Sequence, residues 1–123
     1  MTQSAAPQRA AVWFEIPVSD LKRGMAFYGS VLQAELSLDE TGANPTAVFP
    51  SLDPMQAGHL YPGKPATGGI GPTVHLAVSD PIEAALERVT EAGGKVVSPV
   101  ITIPPGRFAY CVDPDGNSFG VFV

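Results

Sequence analysis

The sequence predicts an α+β fold built from two β-α-β-β-β modules in tandem, and three observations carry that prediction. The tripeptide Val18-Ser19-Asp20 recurs as Val78-Ser79-Asp80 at an offset of 60 residues, with Phe14 matching Val74 and Ile16 matching Leu76. Repetition at one fixed spacing marks a duplicated structural unit. Each copy also couples an alternating strand pattern to a helical one. Finally, 123 residues, 45% of them hydrophobic, are enough for one self-supporting domain or two small modules sharing a core.

Residues 1–10 are small and polar and form an N-terminal tail, residues 11–61 are the first module, 62–72 a linker and 73–123 the second module. In 12–18, Phe14, Ile16 and Val18 fall on one face and Trp13, Glu15 and Pro17 on the other. Ser19-Asp20 ends the strand and offers a side-chain oxygen to the first free amides of a helix. That helix, 21–32, carries Leu21, Met25, Tyr28 and Leu32 at spacings of four, three and four, a stripe suited to cover Phe14, Ile16 and Val18. Short strands follow at 35–38, 47–49 and 59–61, with turns or loops at 41–45 and 51–58.

The second copy runs from a strand at 74–78 into a helix at 81–92. Asp80 before Pro81 suits a helix start, since proline at the first helical position loses no needed hydrogen bond. Gly93-Gly94 closes it, glycine tolerating the left-handed C-cap. Strands at 95–97, 107–112 and 118–123 follow, the last two joined by the hairpin signal Asp113-Pro114-Asp115-Gly116-Asn117. Between the modules, 62–72 holds four glycines and three prolines.

Composition excludes several partners. Seven Lys and Arg against twelve Asp and Glu give a net charge of -5, which repels a phosphate backbone, with no basic cluster to offset it. Nucleic acid is therefore not expected. The acids are scattered rather than blocked; such charge maintains solubility and draws cationic ligands over a distance. No run approaches the ~18 apolar residues of a membrane span, and residues 1–10 lack the basic and apolar regions of a secretory signal. A single cysteine, Cys111, forms no internal disulfide, which fits a cytoplasmic location. Gly68-Gly69-Ile70-Gly71 lacks the Lys and Ser/Thr of a phosphate loop, and there is no nucleophile elbow or zinc-protease motif.

From residue 12 to the end the chain resembles the vicinal oxygen chelate superfamily, which contains glyoxalase I, extradiol dioxygenases and bleomycin resistance proteins. The resemblance rests on Val18-Ser19-Asp20-Leu21 with Ala26-Phe27-Tyr28, on Val78-Ser79-Asp80 with Glu91-Ala92-Gly93-Gly94, and on Asp113-Pro114-Asp115-Gly116-Asn117. In that order these motifs specify a fold and not a reaction. The resemblance implies a cup-shaped curved mixed sheet with helices outside, ligands on its concave face, and a homodimer whose partner completes the cup.

It also implies, for enzymes of the superfamily, a divalent metal held by His and Glu. The first ligand of that pattern stands seven residues before the Asp that opens the first helix, which is Trp13 here; its counterpart in the second module is Thr73. The last falls within Ser118-Phe119-Gly120-Val121, and the remaining one at His59 or Tyr61. Indole and glycine do not ligate, and a lone Thr is a poor ligand for Zn or Fe. No cofactor is therefore expected, although a displaced divalent metal held by Glu15, His59, His75 and water remains open.

On the face turned away from the helices, strand alternation places Trp13, Glu15 and Pro17 in one module and Thr73, His75 and Ala77 in the other. Glu15 and His75 are counterparts at the 60-residue offset and are expected to face each other across the pseudo-two-fold axis that the superfamily implies. They form an acid–base pair, a structural ion pair between modules, or, through Glu15, a seat for a cationic group. Trp13 either stacks on a planar ligand or packs at a junction. Arg107 either clamps a ligand carboxylate or lies at a solvated strand end. Phe108, Tyr110 and Phe122 alternate as lining of the cup, whereas Cys111 faces the helices as inert core. The leading expectation is a small-molecule binding module similar to the bleomycin resistance proteins and lacking the usual metal. The alternative is a lyase, isomerase or dioxygenase using a displaced metal or a Glu15-His75 pair.

Overall fold

The computed structural model describes residues 10–52, 57–79 and 81–123. Strand β1 (Trp13–Val18) turns into helix α1 (Leu21–Leu32) at Asp20, whose carboxylate accepts from the Arg23 amide at 3.0 Å and so caps the helix. Strands β2 (Ser37–Asp39), β3 (Thr46–Val48) and β4 (Ala57–Pro62) complete a sheet of order β1-β4-β3-β2, in which only β1 and β4 run parallel. The second module repeats the plan with β5 (Val74–Ala77), α2 (Ile82–Glu91), β6 (Lys95–Val96), β7 (Ile101–Ile103), β8 (Gly106–Val112) and β9 (Ser118–Phe122). Its order is β5-β9-β8-β6, with β5 parallel to β9 and with β7 on the other end of β8. The result is the expected α+β architecture: two open curved sheets, each with a helix on one face.

Several boundaries differ from expectation for identifiable reasons. The second strand of the second module is split, because Pro99 has no N–H to give the ladder and the Tyr110 amide donates instead to Ser98 Oγ at 2.9 Å. Pairing resumes as β7, an additional strand whose β-branched residues Ile101, Thr102 and Ile103 suit a pleated edge. Strand β4 begins at Ala57, inside the expected loop 51–58. Helix α2 begins at Ile82 with Pro81 in the cap position, and the expected capping residue Asp80 lies outside the described residues.

The buried stripe of α1 is also rotated. Gly24, Phe27, Tyr28 and Val31 are its buried residues, whereas Leu21, Met25 and Leu32 are only partly covered. A side chain at Gly24 would come within 3.2 Å of Leu60 and Val18, so glycine lets the helix settle directly onto β1 and β4. One apolar cluster runs through both modules, joining Ile16, Val18, Val31 and Leu60 to Ile82, Val89, Cys111, Phe119 and Val121. Tyr28 and Phe27 meet Phe119 edge-on across the junction, at 5.3 and 5.7 Å.

The turn after β8 locks the modules together. Asp113 is buried, and its carboxylate accepts from the Tyr28 hydroxyl of α1 at 2.6 Å, from the Asp115 and Asn117 amides, and from Asn117 Nδ2. Asn117 Nδ2 also donates to the Pro17 carbonyl at 2.8 Å, and Asn117 Oδ1 accepts from the Ala66 amide in the linker. Asp115 binds Ser19 Oγ and Arg23, each at 2.6 Å. Residues of Val18-Ser19-Asp20 and of Asp113-Pro114-Asp115-Gly116-Asn117, which carry the family resemblance, thus serve to cap α1 and to join it to the second module.

Candidate functional site

The open faces of the two sheets carry two separate groups of side chains. In the first module the parallel register sets Glu15 directly opposite His59, and His59 Nε2 lies 3.0 Å from Glu15 Oε1. Trp13 Nε1 lies 3.1 Å from His59 Nδ1. An indole nitrogen only donates, so His59 Nδ1 accepts, and the ring carries its proton on Nε2 and gives it to Glu15. Both imidazole nitrogens are thereby engaged. The side chain of His59 is 17% exposed and that of Glu15 is 63% exposed, so the relay runs from a sheltered ring to an open carboxylate. Tyr61 meets the His59 ring edge-on.

In the second module His75 lies opposite Gly120 in the register. A Cβ at 120 would stand 2.6 Å from His75 Cε1, so the imidazole occupies space that only glycine leaves free. Phe108, Tyr110 and Phe122 surround the ring at centroid distances of 5.0, 5.7 and 6.2 Å, and Phe108 and Phe122 stack nearly parallel. Among the described residues His75 makes no hydrogen bond or ion pair.

These positions correct the expected juxtaposition of Glu15 with His75. Duplication makes the two residues counterparts in sequence, but contact is set by strand order: β1 lies on β4 and β5 on β9. The residue that Glu15 meets is therefore His59. The deciding feature is the parallel pairing of the first and last strands within each module, which the 60-residue repeat does not itself encode. The displaced metal set is divided in the same way, with Glu15 and His59 together and His75 among aromatic rings. Among the described residues no three His, Cys, Asp or Glu side chains gather to hold a metal ion.

Register also decides between the two residues that the resemblance left open for one metal-ligand position. His59 faces Glu15 as Gly120 faces His75, so His59 rather than Tyr61 is the counterpart of Gly120. Val121 is buried toward the helices. The four places then hold a donor-only indole, an imidazole with both nitrogens bonded, a glycine, and Thr73, whose hydroxyl is 2.5 Å from that of Ser118. This donor set does not fit a divalent metal.

Arg107 turns to the helix side, where its guanidinium binds Glu83 of α2 at 3.0 Å; it does not clamp a ligand on the open face. Cys111 is buried against the helices, and burial pushes its thiol up to about 11, which leaves it inert. Between β1 and the second module, Glu15, Pro17, Pro72, Val74 and Ser118 line a cleft of about 120 Å³. That is well below the ~300 Å³ at which sites for drug-sized ligands begin.

Residues 10–121 match the model of the Glyoxalase/Bleomycin resistance protein/Dioxygenase superfamily. The chain is 26% identical over 117 residues to a glyoxylase-like domain-containing protein of Didymella fabae, covering 87% of this chain and 88% of that one. Among solved structures it resembles a glyoxalase/bleomycin resistance protein from Albidiferax ferrireducens, with TM-score 0.71, 22% identity and coverage of 89% and 94% of the two chains. A glyoxalase/bleomycin resistance protein from Catenulispora acidiphila gives TM-score 0.61 at 22% identity, with coverage of 91% and 96%. With the duplicated fold and its motifs in place, the chain belongs to the glyoxalase/bleomycin resistance protein/dioxygenase superfamily.

Proposed function

We propose that this chain is a small-molecule binding member of its superfamily that works without the superfamily's metal. The observation that carries the reading is His59. It is the one imidazole at a family ligand position, and Trp13 and Glu15 engage both of its nitrogens. The ligand would lie on the open face, where Trp13 and Tyr110 are 40% and 37% exposed and His75 offers an imidazole in an aromatic setting. A cleft of about 120 Å³ encloses little by itself, and a second copy covering this face, as a homodimer, would complete the cup.

A lyase or isomerase acting by acid–base chemistry keeps one supporting observation: the His75 imidazole makes no bond among the described residues. Dioxygenase chemistry needs the metal. A cytoplasmic location is supported by the single, buried cysteine, and no helix of the described residues is long and apolar enough to cross a membrane.

The test is metal content. Protein dialysed against Zn, Ni, Mn and Fe(II) and measured by elemental mass spectrometry is expected to retain far less than one equivalent. Stoichiometric retention that disappears in His59→Ala or His75→Ala would overturn the reading.

A further inference from the structure

We propose that Trp13, His59 and Glu15 form a preorganised subsite for an organic cation, a ligand bearing a quaternary or protonated amine. This inference rests on the reading of the open face as a ligand-binding surface and names the chemistry that one part of it takes.

Glu15 accepts from His59 through Oε1, so Oε2 remains for a ligand on a side chain that is 63% exposed. The ion pairs that Lys and Arg make among the described residues join Arg23 to Asp115 and Arg107 to Glu83, so no protein cation neutralises Glu15. Trp13 has committed its N–H to His59, which leaves the electron-rich face of its indole for a ligand, on a residue that is 40% exposed. Such a face attracts a cation, most strongly when the cation is partly desolvated.

His59 holds these two groups in fixed relation. Its ring is sheltered on the sheet and bonds the indole on one side and the carboxylate on the other, at 3.1 and 3.0 Å. Ordering two side chains is a cost of binding, and here the imidazole bears it before any ligand arrives. A neutral planar ligand would use the indole but leave the carboxylate idle, and an anion would be repelled by it. The net charge of -5 adds long-range attraction for a cation.

Trp13 is the sole tryptophan of the chain, so its fluorescence reports on this subsite alone. The full chain is titrated at low salt with benzyltrimethylammonium, benzyl alcohol and benzoate. The expected result is a saturable change with benzyltrimethylammonium and at least tenfold weaker binding of the other two. Glu15→Gln, which keeps an acceptor for His59 but removes the charge, should weaken the cation tenfold or more while leaving the urea midpoint and the affinity for benzyl alcohol unchanged. Equal binding of benzyl alcohol and the cation, no binding of the cation, or an unaltered cation affinity in Glu15→Gln each overturns the proposal. Metal retention would overturn the metal-independent reading instead, and the titration separates that failure from this one.

Discussion

Replacing Tyr28 by Phe removes a single oxygen, yet that oxygen spans the two modules. The Tyr28 hydroxyl donates to Asp113 Oδ2 at 2.6 Å; Tyr28 is 0% exposed and Asp113 is 4% exposed. A buried hydrogen bond to a charged acceptor contributes about 1.5–3 kcal/mol. In Tyr28→Phe the carboxylate still accepts from Asn117 Nδ2 and from the Asp115 and Asn117 amides, each at 2.9 Å, so it is not stranded. The expected loss is that of the one bond, about 1.5–3 kcal/mol.

Asp113→Ala is a different perturbation. It strands the buried Tyr28 hydroxyl and Asn117 amide, deprives the half-buried Asp115 amide of its acceptor, and leaves Asn117 Nδ2 with only the Pro17 carbonyl. At about 1–3 kcal/mol for each buried unsatisfied donor, a loss of roughly 4 kcal/mol or more follows. The double variant then recovers a coupling of about 1.5–3 kcal/mol, since either single change already breaks the shared bond. Urea unfolding of the four proteins measures this directly. A loss below about 0.5 kcal/mol in Tyr28→Phe, or additive losses in the double variant, would refute the argument that the turn motif serves to join the modules.

The same residue has a signature in pH. Burial first, and then the Asp113 carboxylate, hold the Tyr28 phenol well above its ordinary value. A raised acid favours the folded state while protonated, so its contribution is full below the unfolded value near ~10 and is lost as pH rises toward the folded one. Tyr28→Phe should therefore flatten the alkaline fall in stability.

Two further outcomes are expected. In Gly120→Ala the new Cβ overlaps His75, standing 2.6 Å from Cε1, so the imidazole must leave its seat against Phe108, Tyr110 and Phe122. A loss of about 1–3 kcal/mol is expected, with shifts of the His75 ring resonances in NMR spectra; unchanged resonances would show the seat to be unoccupied. For Cys111, pushed up to about 11 by burial, alkylation at neutral pH should require unfolding, and its share of stability should disappear as pH rises from ~9 to that value. Rapid labelling of the native protein, or an identical alkaline profile in Cys111→Ala, would contradict this.

Alternation and repetition are local properties, and they were legible in the chain. They placed Ile16 and Val18 in the core, Trp13, Glu15 and His75 on the open face, and Cys111 against the helices, all as found. The 60-residue offset announced the duplication, and the missing donors at Trp13, Thr73 and Gly120 were visible once the motifs were aligned to it. Helix rotation was less legible. The stripe of α1 follows the close approach allowed at Gly24, which depends on Leu60 and Val18 across the interface and not on the helix's own apolar spacing.

Which residues meet was decided only by the tertiary structure. The repeat makes Glu15 the counterpart of His75, but a parallel strand pair has its own register, and that register gives Glu15 to His59 and His75 to Gly120. Arg107 likewise finds Glu83 on α2 rather than the open face, because it alternates with Phe108 along β8 and shares the helix side with Cys111. The sequence by itself determined the fold, the family and which side chains share a sheet face, since periodicity and motif spacing act over a few residues. The partners of each polar group had to await strand order, a long-range property set by how two sheets and two helices close over one core.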